Sequence, residues 1–275
     1  MRVVVPTVPA LPVLRELPAP AEWSRIDFIS DLHLAPDMPR TCEAWAGYML
    51  ATPADAVFIL GDLFDVWVGD DARLHGFEAQ CADVLTRAAK RTRISLMAGN
   101  RDFLIGAEML GACGVSALSD PTLLLAFGQR VLLSHGDALC LADTEYQRYR
   151  AQARSPQWQA AVLALPLAER RRLASQMRHA SEQRSASAAM PADAADIDAA
   201  AAQDWLRHAS ATVLVHGHTH QPGSAPIAPG CLRHVLSDWD LDHAGDRPRA
   251  EVLRLTRSGF ERLSPTTAMQ AAPSA

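Results

Sequence analysis

Five short apolar runs punctuate the chain, and each breaks off into Asp, Asn or His: "RIDFISDLH" (25–33), "DAVFILGDLFD" (55–65), "RISLMAGNRD" (93–102), "RVLLSHGD" (130–137) and "ATVLVHGHTH" (211–220). A continuous β-rich apolar run suits a strand covered on both faces, which needs no polar alternation. Stretches of helical pattern separate the runs, at about 41–51, 76–91 and 196–209. Strands alternating with helices predict a layered α/β fold, and such folds place their sites just beyond the carboxyl ends of the strands. All five polar clusters fall there. Two further patterns predict β-hairpins, "TLLLAFGQRVLLSHG" turning near Gly128 and Gln129 and "AEVLRLTRSGFERL" turning at Ser258 and Gly259, so the sheets are expected to be mixed.

The ends of the chain read differently. Residues 1–24 are apolar but broken by five prolines, and are expected to form an extended or disordered arm ahead of a domain over 25–265. Residues 266–275 are expected to be a disordered tail. A length of 275 residues, 49% hydrophobic and 21% charged, suits one large domain with an insertion, or two small ones. The formal charge of −5 offers no basic field for nucleic acid. Five scattered cysteines, odd in number and without a CxxC pair, read as reduced thiols of a cytosolic protein.

The strand-end residues form one set: Asp31 and His33, Asp62, Asn100 and Arg101, His135, His216 and His218. In an extended segment residues i and i+2 point to the same side, so D-x-H and H-x-H can each aim two ligands at one place. Asp, Asn and His without Cys make a borderline-to-hard donor set, suited to Mn²⁺, Fe²⁺ or Zn²⁺. A carboxylate can bridge two ions where a neutral imidazole cannot, and Asp62, between D-x-H and G-N-R-D, is the natural bridge. Taken singly each motif has a bland reading: "GDLFD" as a turn with a capping Asp, His135 as a satisfied core histidine, Arg101 as half of a surface ion pair. Five strand ends that all collect ligand-type residues are not explained that way.

These motifs, D-x-H, GDxxD, GNRD, H and HGHTH, resemble the calcineurin-like binuclear metallophosphoesterases over roughly residues 26–240. "SDLHL", "GDLFDVWVGDD", "AGNRDFLIG", "SHGDALCLADTEYQRYR", "WQAAVLALPLAERRRLA", "VHGHTHQP" and "LSDWDLD" look closer still to the UDP-2,3-diacylglucosamine hydrolases, pyrophosphatases of lipid A biosynthesis. The resemblance implies a sandwich of mixed β-sheets flanked by helices, with a helical lid insertion. It implies one metal on Asp31, His33, Asp62 and His218 and another on Asp62, Asn100, His135 and His216, most naturally Mn²⁺. It implies catalytic roles for Asp62, Asn100, Arg101 and His135. Substrate contacts would come from Asn100, Arg101, Asp143, Ser181 and His216. His220 is expected beside the metals without ligating them. Where relatives carry lysines after the matching serine, this chain reads "SEQRSASAAMP", and Arg184 is the nearby cation. The partners implied are UDP-2,3-diacylglucosamine and the anionic cytoplasmic face of the inner membrane, met by a monomer. Another metallophosphoesterase activity, on nucleotides or phosphoproteins, or a non-catalytic scaffold on the same fold, are the alternatives.

The insertion, about 144–190, stands apart in charge. Between residues 146 and 190 lie Arg148, Arg150, Arg154, Arg170, Arg171, Arg172, Arg178 and Arg184 against Glu169 and Glu182, a local +6 in a chain of −5. Trp158, Val162 and Leu165, then Leu167, Leu173 and Met177, predict two amphipathic helices broken at Leu165-Pro166. Such a hairpin could pack on the core with a solvated basic face. It could equally serve as a lid whose apolar face takes acyl chains and whose arginines meet anionic lipid.

Overall fold

A computed structural model describes residues 14–187, 196–245 and 247–270, and of 178–187 the backbone alone. Two six-stranded mixed sheets face each other. The first runs β1 (Arg15–Pro18), β6 (Thr122–Ala126), β7 (Gln129–Ser134), β8 (Val213–His216), β10 (Cys231–Val235), β9 (Gly223–Ala228). The second runs β12 (Gly259–Leu263), β11 (Val252–Thr256), β2 (Ile26–Ile29), β3 (Ala56–Leu60), β4 (Arg93–Met97), β5 (Ser116–Leu118). The five apolar runs are β2, β3, β4, β7 and β8.

Burial on both faces explains their composition. Phe28, Phe58, Leu60 and Met97 of one sheet meet Leu124, Val131, Leu133 and Val215 of the other in the space between the sheets. The opposite face of the second sheet, with Ile29, Ile59 and Leu96, is covered by α1 (Pro39–Ala51), α2 (Gly76–Ala88) and α3 (Ala107–Cys113). The outer face of the first sheet, with Leu123, Leu132 and Leu214, packs on Ala202, Trp205 and Leu206 of α7 (Ala199–His208). These five strands are thus covered by apolar neighbours on both faces, and a period-2 pattern is absent from them for that reason.

Both predicted hairpins form, each turning one residue earlier than expected. Ala126 pairs Gln129 and Thr256 pairs Gly259, so the turn residues are Phe127-Gly128 and Arg257-Ser258. Phe127 (φ 53°) and Gly128 (φ 77°) both take left-handed backbone, the geometry a two-residue hairpin loop requires.

Of the expected arm, residues 15–18 are β1, pairing in parallel with β6 from Arg15↔Thr122 to Pro18↔Leu125. Leu17 and Trp23 pack against the inter-sheet core, so apolar contact draws this part of the arm onto the domain. Residues 1–13 lie outside the described residues. Of the expected tail, α8 (Pro265–Ala268) is capped by Ser264, whose hydroxyl accepts the Thr267 N–H at 3.1 Å. Residues 271–275 lie outside the description.

The insertion contributes α4 (Thr144–Ala153), α5 (Pro156–Leu163) and α6 (Leu167–Ser187), with the break at 164–166. Among the described residues no helix is long and apolar enough to cross a membrane.

Candidate metal centre

Strands β2, β3 and β4 are parallel, as are β7 and β8, so their carboxyl ends deliver the motif loops to one edge of the sandwich. Lateral hydrogen bonds join the loops there. Asp31 N–H donates to Gly61 O (3.1 Å), His33 N–H to Asp62 O (3.1 Å) and Gly217 N–H to His135 O (2.9 Å). The two sheets meet where His218 N–H donates to both Asp31 carboxylate oxygens, at 3.1 and 3.0 Å.

The D-x-H pair converges, but not by strand alternation. Strand β2 ends at Ile29, and Asp31 (φ 52°) and His33 (φ 47°) lie in left-handed backbone, as do Asp62 (φ 52°), His218 (φ 68°) and His220 (φ 52°). Left-handed backbone costs a non-glycine residue free energy and persists where the surroundings impose it, characteristically at functional sites. Here the imposition comes from the lateral bonds just described. The glycines of the motifs answer crowding. A Cβ at Gly99 would overlap the Asp62 carboxylate. At Gly61 (φ 93°) it would lie 2.8 Å from Gly99 Cα, closer than a real contact allows.

Ligand-type atoms gather in two overlapping groups, Asp31–His33–His220 and Asp31–Asp62–His135, each with its atoms within 4.8 Å of one another. Asp31 is therefore the carboxylate common to both groups, while Asp62 belongs to the second. His220, expected at the side, lies inside the first group, with its Nε2 3.2 Å from His33 Nε2 and 3.5 Å from Asp31 Oδ1. Asn100 links the remaining histidines: its Oδ1 is 2.9 Å from His135 Nε2 and 2.8 Å from His218 Nδ1.

The donor set fits cations. Burial pushes His33 and His218 down to about 3 and His216 to about 4, so all three imidazoles are neutral at pH 7 and carry a lone pair. His216 Nδ1–H donates to Gly217 O at 2.9 Å, which leaves Nε2, buried and without a partner among the described residues, as the free donor atom. His33 Nδ1 is likewise buried and unpartnered. His135 Nδ1–H donates to Leu60 O at 2.9 Å and so aims Nε2 inward. Asp62 is raised to about 7 by burial and by the Asp102 and Asp31 carboxylates. His135 is raised to about 9: burial opposes its charge, and the Asp62, Asp137 and Asp31 carboxylates outweigh burial. The protons favoured at Asp62 and His135 offset the negative charge gathered at Asp31, Asp62 and Asp137, an offset that bound divalent cations would supply instead.

Arg101 donates its N–H to Asp62 Oδ1 (2.8 Å), and its half-buried guanidinium has no ion pair among the described residues. Asp143 caps α4, accepting Tyr146 N–H at 2.9 Å. The side chain of Ser181 lies outside the described residues.

Three supporting acids escaped the reading of the sequence. Asp102, fully buried, accepts Gly99 N–H (2.7 Å) and Leu63 N–H (2.8 Å) and so fixes the Asp62 and Asn100 loops together. The closing D of G-N-R-D was the available signal. Asp137, the D of H-G-D, is buried under α4. Asp238 of "LSDWDLD" takes Arg249 through both oxygens (2.9 and 2.6 Å) beside His220, and the neighbouring Trp239 N–H donates to Asp31 O at 3.0 Å.

Of the insertion's six arginines whose side chains are described, four pair with carboxylates of the protein. Arg170, read as facing lipid, is buried: it donates to Val68 O and Leu165 O and pairs with Asp71 through both guanidinium nitrogens. Arg150 and Arg154 point at Asp137, and Arg171 pairs with Glu78 at 3.1 Å. Val162, read as acyl-facing, is buried in the helix-covered core, and the Trp158 ring lies 5.9 Å from Phe103. Leu163 is 44% exposed. A cleft of about 390 Å³ runs beneath α6, lined among others by Leu34, Pro36, Phe64, Val66, Phe77 and Arg171. It begins beside the His33 loop.

The calcineurin-like phosphoesterase family model matches residues 24–222. The chain is 42% identical to the UDP-2,3-diacylglucosamine hydrolase of Bordetella pertussis over 84% of its own length and 92% of that protein. It is 44% identical to the enzyme of that name from Chromobacterium violaceum, covering 80% of this chain and 92% of the other. Among solved structures, the phosphoesterase Yfce from E. coli matches at a TM-score of 0.42 and 17% identity, over 88% of this chain and 93% of that one.

Proposed function

The chain belongs to the calcineurin-like phosphoesterase family, and we propose that its reaction is that of the UDP-2,3-diacylglucosamine hydrolases. Water adds to the uridine-side phosphorus of UDP-2,3-diacylglucosamine, and 2,3-diacylglucosamine 1-phosphate leaves, with UMP as the second product. The observation that carries this reading is identity of 42% to a protein so named over 92% of that protein's length, a span that takes in the insertion as well as the motifs.

Asp31, His33, Asp62 and His218 would hold one divalent cation and Asp62, Asn100, His135 and His216 a second, both Mn²⁺ in this reading. Bound there, the pair lowers the pKa of a water and screens the charge of the diphosphate. The chain's own groups do the rest. Asp62 is held with Oδ1 on Arg101 N–H, so the same peptide orients a ligand and its neighbouring guanidinium. That guanidinium, unpaired in the site, offers a bidentate fork to a phosphate oxygen. Asn100 and His216 would also contact the substrate, and Asp143 and Ser181 would meet the nucleotide or sugar. The cleft under α6, where Leu34, Phe64, Val66 and Phe77 line the wall beside Asp37, Asp65 and Glu78, would offer acyl chains an apolar strip close to the His33 loop. Among the described side chains of the insertion, Arg148 and Arg172, both exposed, would meet an anionic surface. A monomer held peripherally at the cytoplasmic face of the inner membrane completes the proposal.

The test is hydrolysis in ¹⁸O-water with Mn²⁺, of UDP-2,3-diacylglucosamine and, separately, of an aryl phosphate. Fast release of ¹⁸O-labelled UMP with little aryl phosphate turnover is expected. Label in the sugar phosphate refutes the direction of attack, and equal turnover of both substrates refutes the substrate.

A further inference from the structure

Asp137 lies directly after His135-Gly136 and is fully buried. Its Oδ2 accepts from Tyr146 Oη (2.6 Å) and Arg150 Nε (2.8 Å) of α4 and from Arg154 Nη2 (3.3 Å) at that helix's C-cap, the root of the insertion. The same Arg154 Nη2 donates to Ala98 O (3.3 Å) and Gly99 O (3.0 Å), the two carbonyls ahead of Asn100. The Tyr146 ring lies over His218, centroids 5.8 Å apart and planes 29° from parallel. One helix therefore touches the loops that carry Asn100, His135 and His218, and those three side chains are the ones joined through Asn100 Oδ1.

A second buried ion pair shows what such a linkage does elsewhere. Asp27 takes Arg254 through both oxygens, at 2.7 and 2.8 Å, and Arg254 also donates to Ala268 O. That cluster joins β2, β11, α8 and, through Tyr48 and Thr52, the end of α1, and among the described residues none of its hydrogen bonds goes to a strand-end loop. It fastens the fold. The Asp137 cluster differs because two of its members, Tyr146 and Arg154, each also touch a further loop of the candidate metal centre.

We propose that Arg154 and Tyr146 are positioning residues that couple the seating of the insertion to the cation affinity of the site. Docking of α4 holds the backbone before Asn100 and the face of His218, so the ligand set is assembled only when the lid's root is in place. The proposal rests on the reading that this site holds divalent cations.

Mn²⁺ titration of the purified full chain by calorimetry, with elemental analysis, tests it. Arg154→Gln should weaken Mn²⁺ binding by about 10–100-fold, the usual effect of removing a group that orients metal ligands. Arg154→Lys should recover part of the loss, since an ammonium keeps a charged donor facing Asp137 but not the planar geometry that places Nη2 between Asp137 Oδ2 and the Ala98 and Gly99 carbonyls. Arg254→Gln, the comparator, should lower Tm and leave Mn²⁺ affinity within about twofold. Native-like Mn²⁺ binding by Arg154→Gln overturns the proposal, and so does an equal loss in Arg254→Gln, which would mean general loosening. If Arg154→Gln does not fold, Tyr146→Phe decides, because it keeps the ring over His218 and loses only the bond to Asp137. A severalfold weaker affinity supports the coupling, and unchanged affinity overturns it. The unsubstituted chain separates the underlying reading: no Mn²⁺ bound to it would overturn the metal site itself, whatever Arg154 does, whereas two tightly bound ions in Asp62→Ala would overturn only the bridging role of Asp62.

Discussion

The strand-end loops and the helical insertion handle charge in opposite ways. In the loops, polar groups are buried and left with unused capacity: His216 Nε2 and His33 Nδ1 have no partner among the described residues, and the Arg101 guanidinium is unpaired. In the insertion, cations are numerous but mostly paired within the protein. Arg150, Arg154, Arg170 and Arg171 all end on carboxylates of the domain, and of the described side chains only Arg148 and Arg172 lack an ion pair. The contrast separates two meanings of a charge cluster. Buried groups without partners await a ligand, because an unpartnered buried polar atom is costly. A run of arginines with carboxylates opposite is internal scaffolding, whatever its formal sum.

The largest expected effect would break the comparison on the side of the loops. Asp62→Ala removes a carboxylate that the proposed ligand sets share and leaves His135 without its nearest counter-charge, 3.8 Å away. Activity should fall by several orders of magnitude, with circular dichroism still native. An enzyme that keeps even a tenth of its turnover would mean that Asp31, the carboxylate common to both observed groups, is the true bridge. Asp31→Ala measured beside it decides which.

The middle effect tests the insertion. Arg170→Gln should destabilise the fold by about 1–3 kcal/mol, the range for stranding buried hydrogen-bond partners, here Val68 O, Leu165 O and part of Asp71. Arg172→Gln, one helical turn's fraction away and exposed, should change stability by no more than about 0.5 kcal/mol. Urea unfolding of the two variants gives the numbers. Equal effects would mean that the arginines are interchangeable surface charge after all.

How legible each region was follows from the same contrast. The site residues were readable because the motifs are local: a strand end, a glycine and a ligand sit within a few positions, as in "GDLFD" and "VHGHTH". The architecture followed from apolar runs too continuous for one-sided burial. The route by which Asp31 and His33 converge was misread, because spacing alone cannot tell an extended i, i+2 pair from two left-handed residues. The fate of the arginines was not readable at all. Arg170 meets Asp71 and Arg154 meets Gly99 O across 99 and 55 positions of sequence, and no local pattern records a contact of that range. Val162 illustrates the same limit. Its place on an apolar helical stripe was correct, but which neighbour the stripe faces depends on how the insertion folds back.

The smallest effect sharpens what remains of the lid. With Val162 committed to the core, the apolar groups of the insertion still available to a substrate chain are Leu163, 44% exposed, and Leu165, half-buried at the break before α6. Each methylene of an acyl chain that loses apolar contact costs about 0.8 kcal/mol. Replacing both leucines by Asn should therefore raise KM for the diacylated substrate by about 4–15-fold if one or two methylenes are affected. Turnover of a small soluble phosphodiester at the same loops should stay constant, since neither leucine touches a ligand residue. A parallel loss on both substrates would place these leucines with Val162 as support for the fold. The insertion would then be internal scaffolding throughout, and the acyl chains would have to be housed by the walls of the cleft at Leu34, Phe64 and Phe77.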